Sequence, residues 1–109
     1  MAKKKEQVGV TKVIFRKFKD GEVIALFPYE ILYNYECSSY VHIGQHSGAD
    51  YKHVIRNTKP ATKKEYNELF NEIKSVYHNT KFKVIKHIDT KTYFKAVYEF
   101  DKHLKEINK

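Results

Sequence analysis

The chain has 109 residues, 41% of them hydrophobic and 31% charged, with 21 Lys and Arg against 13 Asp and Glu and a formal net charge of +8. A chain of this length is expected to bury about two-thirds of its unfolded surface around one core, and nine Tyr and seven Phe with only four Gly and two Pro argue against disorder and low complexity. The single cysteine, Cys37, excludes an intramolecular disulfide framework and any zinc site built from several thiolates, and no apolar run approaches the roughly 18 residues that cross a bilayer.

The Lys-rich start MAKKKEQ reads as a flexible basic tail over residues 1–7, followed by a single domain over 8–109. It leads into a charged amphipathic segment rather than an uninterrupted signal-peptide core, so a cytoplasmic protein without membrane association is expected. A first strand runs from Val10 to Phe18. Asp20-Gly21, set between KVIFRKF and EVIALF, predicts a hairpin, because glycine tolerates the positive φ of a tight turn with the right twist. The return strand Val23 to Phe27 is apolar on both faces and belongs inside the sheet, and Pro28 is expected to stop it. A third strand is expected over 37–43. Ser47, with Asp50 three residues later and Tyr51, Val54 and Ile55 at one-turn spacing, predicts a short helix from about Gly48 to Arg56. Thr62 and Glu65 form a T-x-x-E capping box ahead of Tyr66, Leu69, Phe70, Ile73, Val76 and Tyr77, which recur at helical spacing. KFKVIKHI at 81–88 reads as a fourth strand, and Phe94, Val97, Leu104 and Ile107 place a last helix behind Asp89 or Thr90 as N-cap. The expected class is α+β: a small, mainly antiparallel sheet in the order β-β-β-α-α-β-α, covered by helices on one face. An exposed apolar edge strand would favour a homodimer.

Charge is segregated along the chain. Residues 1–19 carry seven Lys/Arg and one acid, 20–50 carry five acids and no Lys/Arg, 51–64 carry five Lys/Arg and no acid, and 81–95 sum to plus four. If the first strand and the strand at Lys81 share a sheet, Lys3, Lys4, Lys5, Lys12, Arg16, Lys17, Lys81 and Lys83 are the candidate phosphate contacts, with Tyr and Phe nearby for stacking. Only Arg16 and Arg56 are arginine, and lysine lacks the planar fork that reads guanine, so sequence-specific DNA recognition is disfavoured. Solubility alone also accounts for a lysine excess.

Of the six histidines, the densest group is His42, His46, Asp50 and His53. On a strand four residues span about 13 Å, too far for His42 and His46 to share an ion, and no H-E-x-x-H is present, so neither a metal nor a cofactor is expected. Cys37 and His42 differ by an odd number and point to opposite faces of a strand, which argues against a thiol–imidazole pair. Tyr29, Tyr33, Tyr35 and Tyr40 cluster in the acidic, lysine-free window, as core or as a partner-binding patch.

VIFRKFKDGEVIALFP at 13–28, SYVHIGQHSGADY at 39–51 and TKPATKKEYNELFNEI at 58–73 together resemble a family of short uncharacterised proteins encoded by phages, plasmids and gut bacteria, over roughly residues 12 to 86. The resemblance implies provenance, with the host cytoplasm as the compartment, and no catalytic residue. It directs attention to the polar loop with Ser39, Tyr40, His42, Gln45 and His46, either as a site or as architecture, with Gly44 at the bend. The resulting expectation is a non-enzymatic accessory protein of a phage or mobile element that binds a polyanion, nucleic acid first. The alternatives are a protein-binding inhibitor or structural subunit using the Tyr-rich acidic face, and a His-dependent metal hydrolase.

Overall fold

The computed structural model describes residues 10–42 and 45–107, the side chains of Gln45 and His46 excepted. Six strands form one sheet: β1 (Val10–Lys17), β2 (Val23–Ile31), β3 (Cys37–Val41), β4 (Gln45–Ala49), β5 (Lys59–Pro60) and β6 (Lys81–Val84). Three helices join them: α1 (Tyr51–Arg56), α2 (Lys63–Val76) and α3 (Thr90–Ile107). The spatial order is β4-β3-β2-β1-β5, with β6 also pairing to β1, so β1 has two partners on its outer side. All pairings are antiparallel except β1 with β6, which is parallel. The α+β class and the mainly antiparallel sheet are those expected from the sequence.

The hairpin forms where Asp20-Gly21 places it. Gly21 takes φ 93, Phe18 N–H donates to Glu22 O at 2.8 Å, and the Asp20 carboxylate accepts from Glu22 N at 2.9 Å. β2 lies between β1 and β3, as its two apolar faces require. It does not stop at Pro28. The strand continues to Ile31, because the register against β3 shifts between Phe27 and Ile31 and the missing proline donor falls in that irregularity.

Alternation along β1 and β2 builds two cores. Val13, Phe15, Ala25, Phe27 and Tyr40 face α2, where Leu69 and Ile73 seal the layer. Ile14, Ile24, Leu26 and Cys37 face the other way, against Ala49 and Val54 of α1. Helices therefore cover both faces of the sheet, not one. Central strands with apolar residues on both sides, as VIFRK and VIALF have, must be covered on both.

The segment expected to begin a helix at Gly48 is instead strand β4, paired Ser38↔Gly48 and Ser39↔Ser47. A Cβ at Gly48 would meet the Glu36 carboxylate and Leu32 Cδ1 at 3.0 Å, side-chain ends that would have to shift to admit a larger residue. The helix starts one turn later, and Asp50 rather than Ser47 caps it, accepting from His53 N at 3.3 Å.

The capping box of α2 is complete: Glu65 N donates to Thr62 Oγ1 at 3.3 Å and Thr62 N to Glu65 Oε1 at 2.8 Å. α3 is capped by Asp89, which accepts from Thr92 N at 3.1 Å. The outer strands carry QHSGA on one side and Lys59-Pro60 and KFKV on the other.

Candidate functional site

The outer side of β1 gathers basic residues from three distant stretches of sequence. On its first half, Lys12 is the register partner of Lys83 in β6, and Val10 that of Lys81. Alternation places Lys12, Lys81 and Lys83 together on the face away from α2, with Phe82 and Val84 turned into the core. On its second half Lys17 is the partner of Lys59 in β5. Between the two short strands lies a groove of about 420 Å³ with Phe15 and Tyr66 on its floor and Lys63 and Lys86 on its rim. Those two rings stack at 4.3 Å and 11°. Beyond β5 a second depression of about 450 Å³ is lined by Lys17, Lys19, Arg56 and Lys59, with Phe18, Asn57 and Thr58 and no acid.

Two of the expected phosphate contacts have other work. Arg16 is only 7% exposed. Its Nε donates to Thr58 Oγ1 at 2.9 Å, and its Nη2 to Ile55 O at 3.0 Å and Thr58 O at 2.7 Å. It ties the C-terminal end of α1 to the sheet, where a helix leaves carbonyls without amide partners, and it does not present a charge to the surface. Lys17 is ion-paired with Glu65 of α2. That contact, followed by the Thr62 amide, holds the Glu65 carboxyl down at about 2. Lys12, Lys81 and Lys83 form no ion pair among the described residues. Lys3, Lys4 and Lys5 lie outside the described residues.

Lys19, Arg56, Lys59, Lys63 and Lys86 were not among the expected contacts. The acid-free block at 51–64 signalled three of them, but the two-residue strand that delivers them to β1 is too short to leave a periodic pattern.

The polar loop is organised by a residue from elsewhere. Tyr40, 1% exposed, donates its hydroxyl to Glu72 Oε2 at 2.6 Å, and His42 Nδ1 lies 2.6 Å from Glu72 Oε1. A carboxylate from α2 thus holds a buried phenol and an exposed imidazole at the β3–β4 turn. Such a carboxylate orients a ring so that its Nε2 is the reacting or binding edge. Ser39 is buried and donates to Ser47 O at 3.0 Å, which stitches β3 to β4. The side chains of Gln45 and His46 lie outside those described. Among the described residues no three His, Cys, Asp or Glu side chains come together as metal ligands would.

The tyrosines of the acidic window divide. Tyr40 is core, and Tyr29 accepts from Asp89 N at 2.8 Å just before α3. Tyr33 and Tyr35 meet Phe100 of α3 edge to face at 5.9 and 5.6 Å. Tyr35 also donates to the Asp101 carboxylate, from a backbone at φ 63. A non-glycine residue in that region is strained, and the turn holds it there through Tyr35 N–H to Leu32 O and Leu32 N–H to Glu36 O, both at 2.8 Å. Cys37 is buried on the sheet face opposite α2, and burial pushes its thiol up to about 12, outside the range of a nucleophile. Among the described residues no helix is long and apolar enough to cross a membrane. The chain matches no family model, no curated protein and no solved structure.

Proposed function

We propose that the chain is a non-enzymatic accessory protein of a phage or mobile element that binds nucleic acid by its phosphate backbone along the outer edge of β1. The observation that carries this reading is the register itself: Lys12 stands opposite Lys83 and Lys17 opposite Lys59. Like charges facing each other across neighbouring strands are destabilising, which folding alone does not favour and a polyanion relieves. Glu65 offsets the second pair, and no carboxylate among the described residues ion-pairs with the first. From Lys12 to Lys17 the strand covers about 17 Å. Because the two differ by an odd number, the Lys12–Lys83 pair lies on the face away from α2 and the Lys17–Lys59 pair on the α2 face, with Lys63 and Lys86 at the groove on that second side. A phosphate backbone that meets both pairs therefore crosses the outer edge of β1. Lysines on strands attract phosphate without reading bases, so binding is sequence-tolerant. Of the tyrosines of the alternative, protein-binding reading, Tyr40 is core, while Tyr33 and Tyr35 meet Phe100 of α3 and keep 75% and 48% of their surface exposed.

Fluorescence anisotropy of a labelled oligonucleotide at two salt concentrations tests the proposal. With about five phosphates neutralised, affinity falls several hundred-fold for a fourfold rise in salt. The Lys12→Ala/Lys83→Ala protein lowers the slope of log affinity against log salt by about 2. Absence of binding at low salt, or an unchanged slope in that variant, rejects the reading.

A further inference from the structure

We infer that the outward face of α3 is a second nucleic-acid contact, specific for single strands, in which Phe94 and Tyr98 stack on unpaired bases while Lys91, Lys95, Lys102 and Lys105 hold the flanking phosphates. It rests on the nucleic-acid reading above and names the form of nucleic acid preferred.

The burial pattern of α3 defines the face. Tyr93, Ala96, Val97, Phe100 and Leu104 are half-buried, whereas Lys91, Phe94, Lys95, Tyr98, Lys102 and Lys105 are all exposed. At 100° per residue these six fall within an arc of about 100° and extend about 21 Å along the axis. Glu99, Asp101 and Glu106 lie outside that arc, so every charge within it is positive. Summation along the sequence hides this, because residues 96–109 carry as many acids as lysines.

Phe94 and Tyr98 are 63% and 64% exposed, one turn apart, about 6 Å along the axis. Phe94 is braced edge to face by Tyr93 at 5.6 Å. Two large rings left in water side by side mark a contact surface, and the four lysines around them select its charge. A second copy of the chain would bring the same lysines against each other across a twofold axis. A lipid surface calls for a continuous apolar stripe, and this arc holds two rings and no aliphatic side chain. A single-stranded polyanion supplies both a negative backbone and free π faces, whereas in a duplex those faces are stacked on one another. The helix is held at the sheet end that carries Lys12 and Lys83: Tyr29 in the last part of β2 binds Asp89, and its neighbour Glu30 lines a small pocket with Thr11 and Phe82.

The test measures wild type, Phe94→Ala/Tyr98→Ala and Lys12→Ala/Lys83→Ala against one oligonucleotide as single strand and as duplex, with thermal melts to verify folding. The aromatic variant is expected to lose affinity for the single strand by at least about tenfold more than for the duplex. Equal losses on both forms, or none, overturn the inference even where the lysine variant shows that the β1 edge binds. If the aromatic variant weakens single-strand binding and the lysine variant weakens nothing, the edge reading falls and the α3 site stands. Absence of oligonucleotide binding by the wild type overturns both, and pelleting with anionic vesicles that is lost in the aromatic variant then assigns the face to lipid.

Discussion

The two long helices have similar amphipathic sequences and opposite outward faces. α2 buries Leu69 and Ile73 fully against the sheet, closes its N-terminus with a capping box and reaches β1 through the Glu65–Lys17 ion pair. Its solvent side mixes Lys64, Asn67, Glu68 and Asn71, with both signs of charge and no ring. α3 has no fully buried residue, is held at the loop before β3 by Tyr33 and Tyr35, and turns two aromatic rings and four lysines to water. Amphipathicity is therefore common to both helices and does not by itself tell them apart. What separates them is which residue types remain on the side that folding does not use.

The largest effect expected from this contrast is on stability. Ile73→Ala opens a cavity beneath Val13, Phe15 and Tyr40 and costs about 4 kcal/mol, whereas Leu104→Ala, at a half-buried position of α3, costs about 1 kcal/mol. Urea unfolding of the two variants measures the difference. Equal losses would make α3 part of the core and would recast its lysines as ordinary surface.

A smaller effect of the same kind separates two cations on one strand. Arg16→Ala leaves Ile55 O, Thr58 O and Thr58 Oγ1 without their donor and costs about 3 kcal/mol, and Arg16→Lys recovers little of it because an ammonium cannot reproduce the fork. Lys12→Ala shifts stability by less than about 0.5 kcal/mol, since its charge makes no ion pair among the described residues. An Arg16 variant as stable as wild type would return that residue to the candidate phosphate contacts.

The legible parts of this molecule are local. Asp20-Gly21, the T-x-x-E box at Thr62 and the apolar periodicity of 66–77 each act within one turn or one hairpin, so adjacent residues carry the whole signal. The parts that were misread depend on partners far along the chain. Gly48 sits in a strand because it pairs with Ser38 of β3, and the double covering of the sheet follows from strand pairing that no single segment contains. The same holds for the site. Residues 1–19 and 51–64 stood out as basic blocks, yet it is the pairing of β1 with β5 that brings them together, and Arg16, equal to the lysines by charge, is removed by a contact 42 residues away. The α3 face was missed for a different reason: a sum over a segment averages the helix, while a face is a selection of every third or fourth residue.

The helix N-termini offer the subtlest comparison, through pH. The Glu65 carboxyl is lowered from 4.5 to about 2, first by Lys17 on β1 and then by the Thr62 amide, while the Asp89 carboxyl is lowered by the Thr92 hydroxyl and amide of its own helix. Each is a carboxylate whose folded pKa lies below its unfolded value, so each stabilises the fold above the unfolded value and loses that contribution as pH falls through the folded one. For Glu65 the window runs from about 4.5 down to about 2. Because its main partner belongs to the sheet, protonation there loosens the α2–β1 contact and lowers the global unfolding midpoint. Protonation of Asp89 removes only a cap and frays α3. Urea midpoints of wild type and Glu65→Gln, compared at neutral pH and across that acid window, are therefore expected to converge as pH falls, while Asp89→Asn changes the helical signal before unfolding more than the midpoint. A Glu65→Gln midpoint that falls in parallel with wild type would show that the ion pair does not couple the helix to the sheet.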